Sequence, residues 1–394
     1  VFAVVQPFKL TVLSLCGLLC AAPALAATYA GREDVQAFVA AMEERHGLDA
    51  ASLETLFART QPIPAVLKAI APPADPGVRS WAAYRQRFIE PRRIAAGLDF
   101  WKKHRATLAK AQALTGVPAE IIVAIVGIET FYGKHLGGFG SFAALATLAF
   151  DYPPRAELFR RELEALLLLA RDDSRAPDSY RGSYAGAIGL PQFLPSSVRA
   201  YAVDFDRNGR IDLVGSPTDA IGSVANFLKE HGWENDGPVA LPVKVGAGGT
   251  VTALPKGRPE ARRHAPEAQS APDEKQALPV MDARSAHEVS PPAQEGPGEV
   301  GRNPGAGGTV DHAALIAEGI LPARRPAEMS QFGVAVPADA PDAPAALIDL
   351  VTPNAATEYW LGYRNFYVIT RYNRSSFYAM TVFQFARALK ERLR

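Results

Sequence analysis

Val117-Pro118-Ala119-Glu120-Ile121-Ile122-Val123-Ala124-Ile125-Val126-Gly127-Ile128-Glu129-Thr130 is the stretch from which the rest of the chain can be read. The eleven positions ahead of Glu129 are apolar or glycine apart from Glu120, and a helix apolar all round is buried on every side. Pro118 suits its first turn and Gly133 its end. A glutamate is ordinarily a solvated surface charge. Glu129 instead falls at the carboxyl end of a helix with no solvated face, where burial and the negative end of the helix dipole both disfavour the carboxylate. Both push its pKa upward. A carboxylic acid kept protonated near neutral pH is what general-acid cleavage of a glycosidic bond requires.

Toward the amino terminus, Arg32 to about Leu114 reads as helices with short breaks. Val35, Phe38, Val39 and Met42 fall at three-to-four spacing, as do Leu53, Leu56 and Phe57, and Pro62, Pro64, Pro72, Pro73 and Pro76 punctuate the run. Toward the carboxyl terminus a helix is expected from Arg155 to Arg171 behind Pro153-Pro154, then a Gly-rich segment from Gly182 to Gly189, an acidic loop from Asp204 to Asp212, and a helix from Thr218 to about His231. From Lys244 to Gly308 glycine, proline, alanine and scattered charge dominate, a composition that cannot bury enough apolar surface to order itself. A disordered insertion is the expectation there. Order should resume near Thr309, with a helix over Ala313 to Glu318, short strands over Phe332 to Val336 and Ala346 to Val351, and Phe366 to Arg371 leading to a final helix from Ser376 to Leu393. The expected division is a helical region (27–114), a core (115–243), the insertion (244–308) and a small α/β subdomain (309–394) whose last helix packs back on the core.

At 394 residues the chain exceeds the usual size of one hydrophobic core. Its 42 Lys plus Arg balance 41 Asp plus Glu, so nothing electrostatic points to nucleic acid or to a strongly anionic membrane as partner. Val1 to Ala27 has the layout of a secretory signal peptide: an early Lys9, an apolar run from Leu10 to Leu19, and Ala24-Leu25-Ala26 as a cleavage site after residue 26. Lipid attachment would need a small residue ahead of Cys16 or Cys20, and each follows a leucine. Both cysteines lie in this segment, so the exported chain is expected to hold neither a disulfide nor a thiolate metal site.

Several motifs follow one another in order: Val117-Pro118-Ala119-Glu120-Ile121-Ile122, Ile128-Glu129-Thr130, Gly182-Ser183-Tyr184-Ala185-Gly186-Ala187-Ile188-Gly189-Leu190-Pro191-Gln192-Phe193, Tyr201-Ala202-Val203-Asp204, Asp219-Ala220-Ile221-Gly222, Asn365-Phe366-Tyr367 and Ile369-Thr370-Arg371-Tyr372-Asn373. In these the chain resembles the membrane-bound lytic murein transglycosylase B family. The resemblance implies a mainly α fold, a lysozyme-like helical core with an added helical region and a small α/β subdomain. It implies cleavage of the bond between N-acetylmuramic acid and N-acetylglucosamine in peptidoglycan, with Glu129 protonating the bridging oxygen and then acting as base on the muramic 6-hydroxyl to close a 1,6-anhydro ring. By the same resemblance Ser183, Gln192 and Phe193 line the sugar groove, Tyr84, Tyr372, Asn373 and Tyr378 position or stack on the sugars, and Arg155 meets an acidic peptide stem or an N-acetyl oxygen. Two departures stand out. Pro154-Arg155 replaces a pair of arginines, and Phe227 stands where a tyrosine is common. Residues alone leave two alternatives open, a muramidase that lets water attack and an idle peptidoglycan-binding scaffold. The implied setting is the periplasm of a Gram-negative bacterium, with glycan strands as partner and the insertion as a contact for cell-wall machinery.

Asp204-Phe205-Asp206-Arg207-Asn208-Gly209-Arg210-Ile211-Asp212 opens like an EF-hand calcium loop, with oxygen ligands from Asp204, Asp206, Asn208 and the Arg210 backbone and glycine at the sixth position. Its twelfth position is Gly215 where a bidentate Glu is usual. Asp219 is the expected substitute, and Ca2+ here would brace the fold without taking part in chemistry.

Overall fold

The computed structural model describes residues 28–72, 79–246 and 312–393. The signal peptide expected over 1–26 lies outside the described residues, as does nearly all of the insertion expected over 244–308.

Helices α1 (Glu33–His46), α2 (Ala50–Ala58) and α3 (Pro64–Ile70) open the chain. Asp49 caps α2 by accepting from Ser52 N, which satisfies one of the orphan donors of a helix start. Then come α4 (Trp81–Phe88), α5 (Pro91–Lys103), α6 (Arg105–Thr115) and the apolar helix α7 (Ala119–Thr130). Every residue of α7 except Glu120 is buried. Strand β1 (Phe139–Gly140) leads into α8 (Ser141–Asp151), α9 (Ala156–Asp172) follows a turn of 3-10 helix, and β2 (Arg181–Gly182) pairs back on β1. An aromatic cluster of Tyr29, Phe38, Phe57, Phe142 and Phe150 ties α1 and α2 to α8. Helices α10 (Pro195–Tyr201) and α11 (Pro217–Glu230) complete this half.

The carboxyl half adds β3 (Ala240–Val245), α12 (His312–Ala317), α13 (Pro326–Met329), β4 (Val334–Ala335), β5 (Ala346–Leu350), β6 (Glu358–Gly362), α14 (Arg364–Tyr372) and α15 (Ser376–Leu393). The four strands form one antiparallel sheet in the order β4-β3-β6-β5. One face of the sheet and α12 enclose a small core of their own around Leu315, Met329, Val334, Leu347 and Leu361. The other face, with α14 and α15, joins the main core through Ile348, Leu350, Phe366, Phe385 and Leu389. The mainly α architecture with a small sheet subdomain thus matches the expectation, and α15 returns to pack along α7.

Three local readings differ from the sequence. Pro118 is the residue before the first turn of α7 rather than within it. The helix ends at Phe131 and Tyr132, both left-handed at φ 51° and 60°, rather than at Gly133. That conformation is disfavoured for residues with a Cβ, and it is offset by burial of the Tyr132 ring, which stacks on Phe100 at 5.1 Å. Strands β3 and β6 were not anticipated, and β3 runs through Lys244 to Val245. Pro242 hides β3, because proline argues against a central strand; here β4 covers only Lys244 and Val245, so Pro242 lies where one side of the strand is open.

Gly97 and Gly127 make room for Tyr132. A Cβ on either would fall onto the tyrosine hydroxyl, and at Gly127 also 2.6 Å from Tyr132 Cζ and 3.0 Å from Phe385 Cε1. Gly127→Ala is therefore expected to lower stability by about 1–3 kcal/mol, the usual cost of overpacking a core. Gly140→Ala, with nothing within 4 Å of the added carbon, is expected to stay near wild type. Urea unfolding of both variants checks this, and equal midpoints would show that Tyr132 yields freely.

Candidate active site

Glu129 occupies the last turn of α7 and is 4% exposed. Its one side-chain hydrogen bond among the described residues comes from α15: Tyr378 Oη donates to Glu129 Oε1 at 2.7 Å. Burial raises the carboxyl pKa from its ordinary 4.5 to about 8, and the Tyr378 hydrogen bond opposes part of that rise. Burial wins because one neutral donor replaces little of the water a carboxylate would hold. Among the described residues no second carboxylate contributes to the shift. Tyr378 is itself fully buried, and its hydroxyl is pushed well above the ordinary tyrosine range by burial and by the neighbouring carboxyl.

An aromatic wall extends from this pair. The Tyr372 and Tyr378 rings lie 6.3 Å apart and nearly parallel, one at the end of α14 and the other in the first turn of α15. Phe227 on α11 meets Tyr372 edge-on at 4.9 Å, and Phe193 lies 5.7 Å from it. Tyr84 packs at 5.7 Å on Phe377, the neighbour of Tyr378. The Gly-rich segment is laced to this wall. Tyr372 Oη donates to Pro191 O at 2.5 Å and Thr130 Oγ1 to Leu190 O at 3.1 Å. Gln192, left-handed at φ 51°, donates through Nε2 to Gly189 O at 2.9 Å and to Leu136 O at 3.3 Å. Its amide oxygen accepts nothing among the described residues.

Ser183 is buried, and its hydroxyl oxygen accepts from Ala187 N at 3.1 Å and Ala185 N at 3.3 Å, so it braces the turn and retains a proton to donate. Asn373, at the junction of α14 and α15, is 6% exposed, with no side-chain hydrogen bond among the described residues. Arg155 stands at the α8–α9 corner beside Tyr152 and Tyr184. The structure thus gathers Glu129, Tyr378, Tyr372, Phe193 and Phe227 into one contact chain, with Gln192, Ser183 and Asn373 on adjoining segments and Tyr84 reaching it from α4 through Phe377.

Two contributors escaped the sequence reading. Thr130 pins the loop, and Arg93 donates through Nη1 to Gly127 O at 2.6 Å while lying 4.7 Å over the Phe131 ring. Arg93 puts a cation at the carboxyl end of α7, on a carbonyl that Phe131 N also reaches at 3.1 Å. Nothing in Pro91-Arg92-Arg93-Ile94 distinguishes the buried arginine from its neighbour.

Apart from this site, carboxylate oxygens of Asp204, Asp206 and Asp219 lie within 4.8 Å of one another. Asp219, in the first turn of α11, is fully buried. Its Oδ1 accepts from Phe205 N at 2.9 Å and Asp206 N at 3.4 Å and its Oδ2 from Asp212 N at 2.9 Å, which leaves a lone pair on Oδ2. Asn208 Oδ1 accepts from Arg210 N at 3.1 Å within the same loop.

A family described as Transglycosylase SLT domain matches residues 30–302 and 309–387. Membrane-bound lytic murein transglycosylase B of Escherichia coli K12 is 34% identical over 370 residues, spanning 92% of this chain and 84% of that protein. The crystal structure of the soluble lytic transglycosylase SltB1 from Pseudomonas aeruginosa superposes with a TM-score of 0.68 at 39% identity, covering 91% of this chain and 99% of that one. The Escherichia coli lytic transglycosylase Slt35 in complex with calcium superposes with a TM-score of 0.67 at 32% identity, covering 92% and 95%.

A carboxyl whose pKa rises on folding holds its proton longer in the native state. Its contribution is whole below the ordinary carboxylate range and is lost as the pH climbs through about 8. Glu129→Gln keeps the shape and cannot ionise. The variant is expected to match the wild type in thermal midpoint at about pH 4 and to exceed it at about pH 9, the gap reaching the order of a few kcal/mol. A gap that does not vary with pH would mean that Glu129 titrates as an ordinary glutamate.

Proposed function

The chain belongs to the lytic murein transglycosylase family, and from that premise we propose that Glu129 is the single group that both gives and takes the proton when it cleaves peptidoglycan. The reaction is a non-hydrolytic cleavage of the glycan that leaves a 1,6-anhydro-N-acetylmuramic acid end. The observation that carries the assignment is a buried carboxyl with a pKa raised to about 8, held among the described residues by Tyr378.

Tyr378 donates to Oε1, so the acidic proton resides on Oε2. That proton passes to the oxygen joining N-acetylmuramic acid to N-acetylglucosamine, and the bond from muramic C1 to this oxygen breaks. The muramic 6-hydroxyl oxygen then bonds to C1, and its proton returns to the carboxylate. Proton and bond counts balance without water. A pair of carboxylates serves the usual glycosidases; one suffices here because the nucleophile is part of the substrate. Tyr372 and Tyr84, only partly buried, offer aromatic faces for the sugar rings, and the buried Tyr378, Phe193 and Phe227 back and position them. The Gln192 amide oxygen, the Asn373 amide and the Ser183 hydroxyl supply polar contacts. On this reading 115–243 is the catalytic unit and 309–394 completes its groove, in the periplasm where the polymer lies.

We also read the Asp204, Asp206 and Asp219 cluster as a calcium site, joined by Asn208 and the Arg210 backbone. Three carboxylates within 4.8 Å repel one another unless a cation neutralises them, and Slt35 has a structure with calcium. A bound ion would tie the loop to the start of α11 and do no chemistry.

Glu129→Gln is expected to cost at least about 10²- to 10⁴-fold in turnover on isolated sacculi, the usual worth of general acid-base catalysis. Mass spectrometry of the wild-type products should find ends lighter than the hydrolysed sugar by one water. Hydrated ends would overturn the transglycosylase route, and retention of a tenth of the rate would move the acid elsewhere.

For the metal, millimolar calcium is expected to raise the wild-type melting midpoint over that in chelator, and Asp204→Ala to abolish the increment while turnover persists. Ligand in about hundredfold excess over Kd adds about 2.7 kcal/mol. Identical wild-type midpoints in the two buffers would leave only an acidic turn.

A further inference from the structure

Helix α9 buries a second glutamate, and the cleavage makes no use of it. Glu162 is 3% exposed and faces α10, where Ser196 Oγ donates to Oε1 at 2.6 Å and Ser196 N to Oε2 at 3.0 Å. Helix α10 has no cap of its own, because the Leu194 side chain at its N-cap has no acceptor and Pro195 brings no N–H. A serine or aspartate in place of Leu194 would satisfy a free donor without burying a charge. What a local cap cannot do is tie the start of α10 to another helix, and Glu162 does so from 34 positions away. Seven residues are too few to stand as a helix on propensity alone. The tie therefore decides where α10 begins.

Just ahead of α10 lie Gln192 and Phe193. The segment that carries them is fastened on its upstream side by Thr130 to Leu190 O and by Tyr372 to Pro191 O. Gln192 follows, left-handed at φ 51°, a conformation that a residue with a Cβ leaves unless both flanks hold it. On the downstream side Phe193 exchanges backbone hydrogen bonds with Ile188 of the same segment. Among the described residues, the first hydrogen bond from there to another element is the one at Glu162. We propose that Glu162 is a positioning residue for glycan cleavage, clamping the downstream end of the Gly-rich segment so that Gln192 keeps its backbone and its amide oxygen stays toward the sugar; this rests on the glycan-cleaving reading above. Glu162 meets no substrate and moves no proton. With the clamp gone, Gln192 relaxes into the right-handed region, and its Nε2 leaves the Gly189 and Leu136 carbonyls, now at 2.9 and 3.3 Å. A small misplacement of a substrate contact is costly in rate.

The test begins with Glu162→Gln, in which the new amide nitrogen faces a donor and one of the two bonds to Ser196 is lost. This variant is expected to lose about tenfold in kcat/KM on isolated sacculi, the order of one hydrogen bond to a charged group. On a Gln192→Ala background the same change is expected to cost nothing further, since the residue it positions is already gone. Losses that multiply in the double variant would mean that Glu162 supports the fold in general and would overturn the proposal, as would full activity of Glu162→Gln alone. A second readout is the side-chain amide resonance of Gln192 in protein carrying isotope-labelled glutamine, identified by its disappearance in Gln192→Ala. Glu162→Gln is expected to move it toward the position of a solvent-exposed amide, and an unmoved signal beside lost activity would sink the clamp. Should Glu162→Gln misfold, Ser196→Ala removes only the hydroxyl bond and is expected to show the same non-additivity with a smaller loss. If the wild type leaves sacculi intact, the glycan reading fails instead, and the amide resonance still decides whether Glu162 holds Gln192.

Discussion

A carboxyl group held away from water by a single hydrogen bond is the constraint around which this molecule is organised. A lone buried carboxylate is prohibitively unfavourable, so such a group stays neutral, and it remains so only while everything around it keeps water out. Helix α7 is accordingly wrapped by α5, α6, α11 and α15, and its end is sealed by Tyr132 over the two glycines that admit it. Arg93 adds a second donor to the Gly127 carbonyl at that end, from outside the carboxyl's own shell. Packing and protonation are here one property, since loosening any of these helices would admit water and return Glu129 toward an ordinary glutamate.

How much of this was legible in the sequence varies with the kind of signal. The apolar run before Glu129 announces its own burial, and α15 is bounded as its periodicity says, from Ser376 to Leu393. What α7 packs against is not local information. Tyr378 lies 249 positions from Glu129, and only the family resemblance brought the two together beforehand. Strand β3 was hidden by Pro242, and the end of α7 was misplaced because tertiary burial of Tyr132 overrides the preference for glycine in left-handed turns. Arg93 and Thr130 could not be singled out, since an arginine among arginines and a threonine at a helix end carry no distinguishing pattern.

Rigidity around the candidate groove comes from the Gly-rich segment. It is fastened at Leu190, Pro191 and Gln192 to three different elements, by Thr130, Tyr372 and the Leu136 carbonyl. Gln192 is held in a left-handed conformation that costs of order 1–3 kcal/mol outside glycine. Such strain persists only where the surroundings over-determine the backbone, and three anchors do so. Groups held in place before a substrate arrives need not be ordered during reaction.

The distance along the chain between Glu129 and Tyr378 has a consequence for timing. A polypeptide made amino end first presents Glu129 while the helix that carries Tyr378 is still to come. Until α15 emerges, the flank of α7 that it covers faces solvent, and the carboxyl there behaves as any hydrated acid does. The eighteen-residue helix α15 thus closes the burial of Glu129 from a part of the chain made 249 positions later.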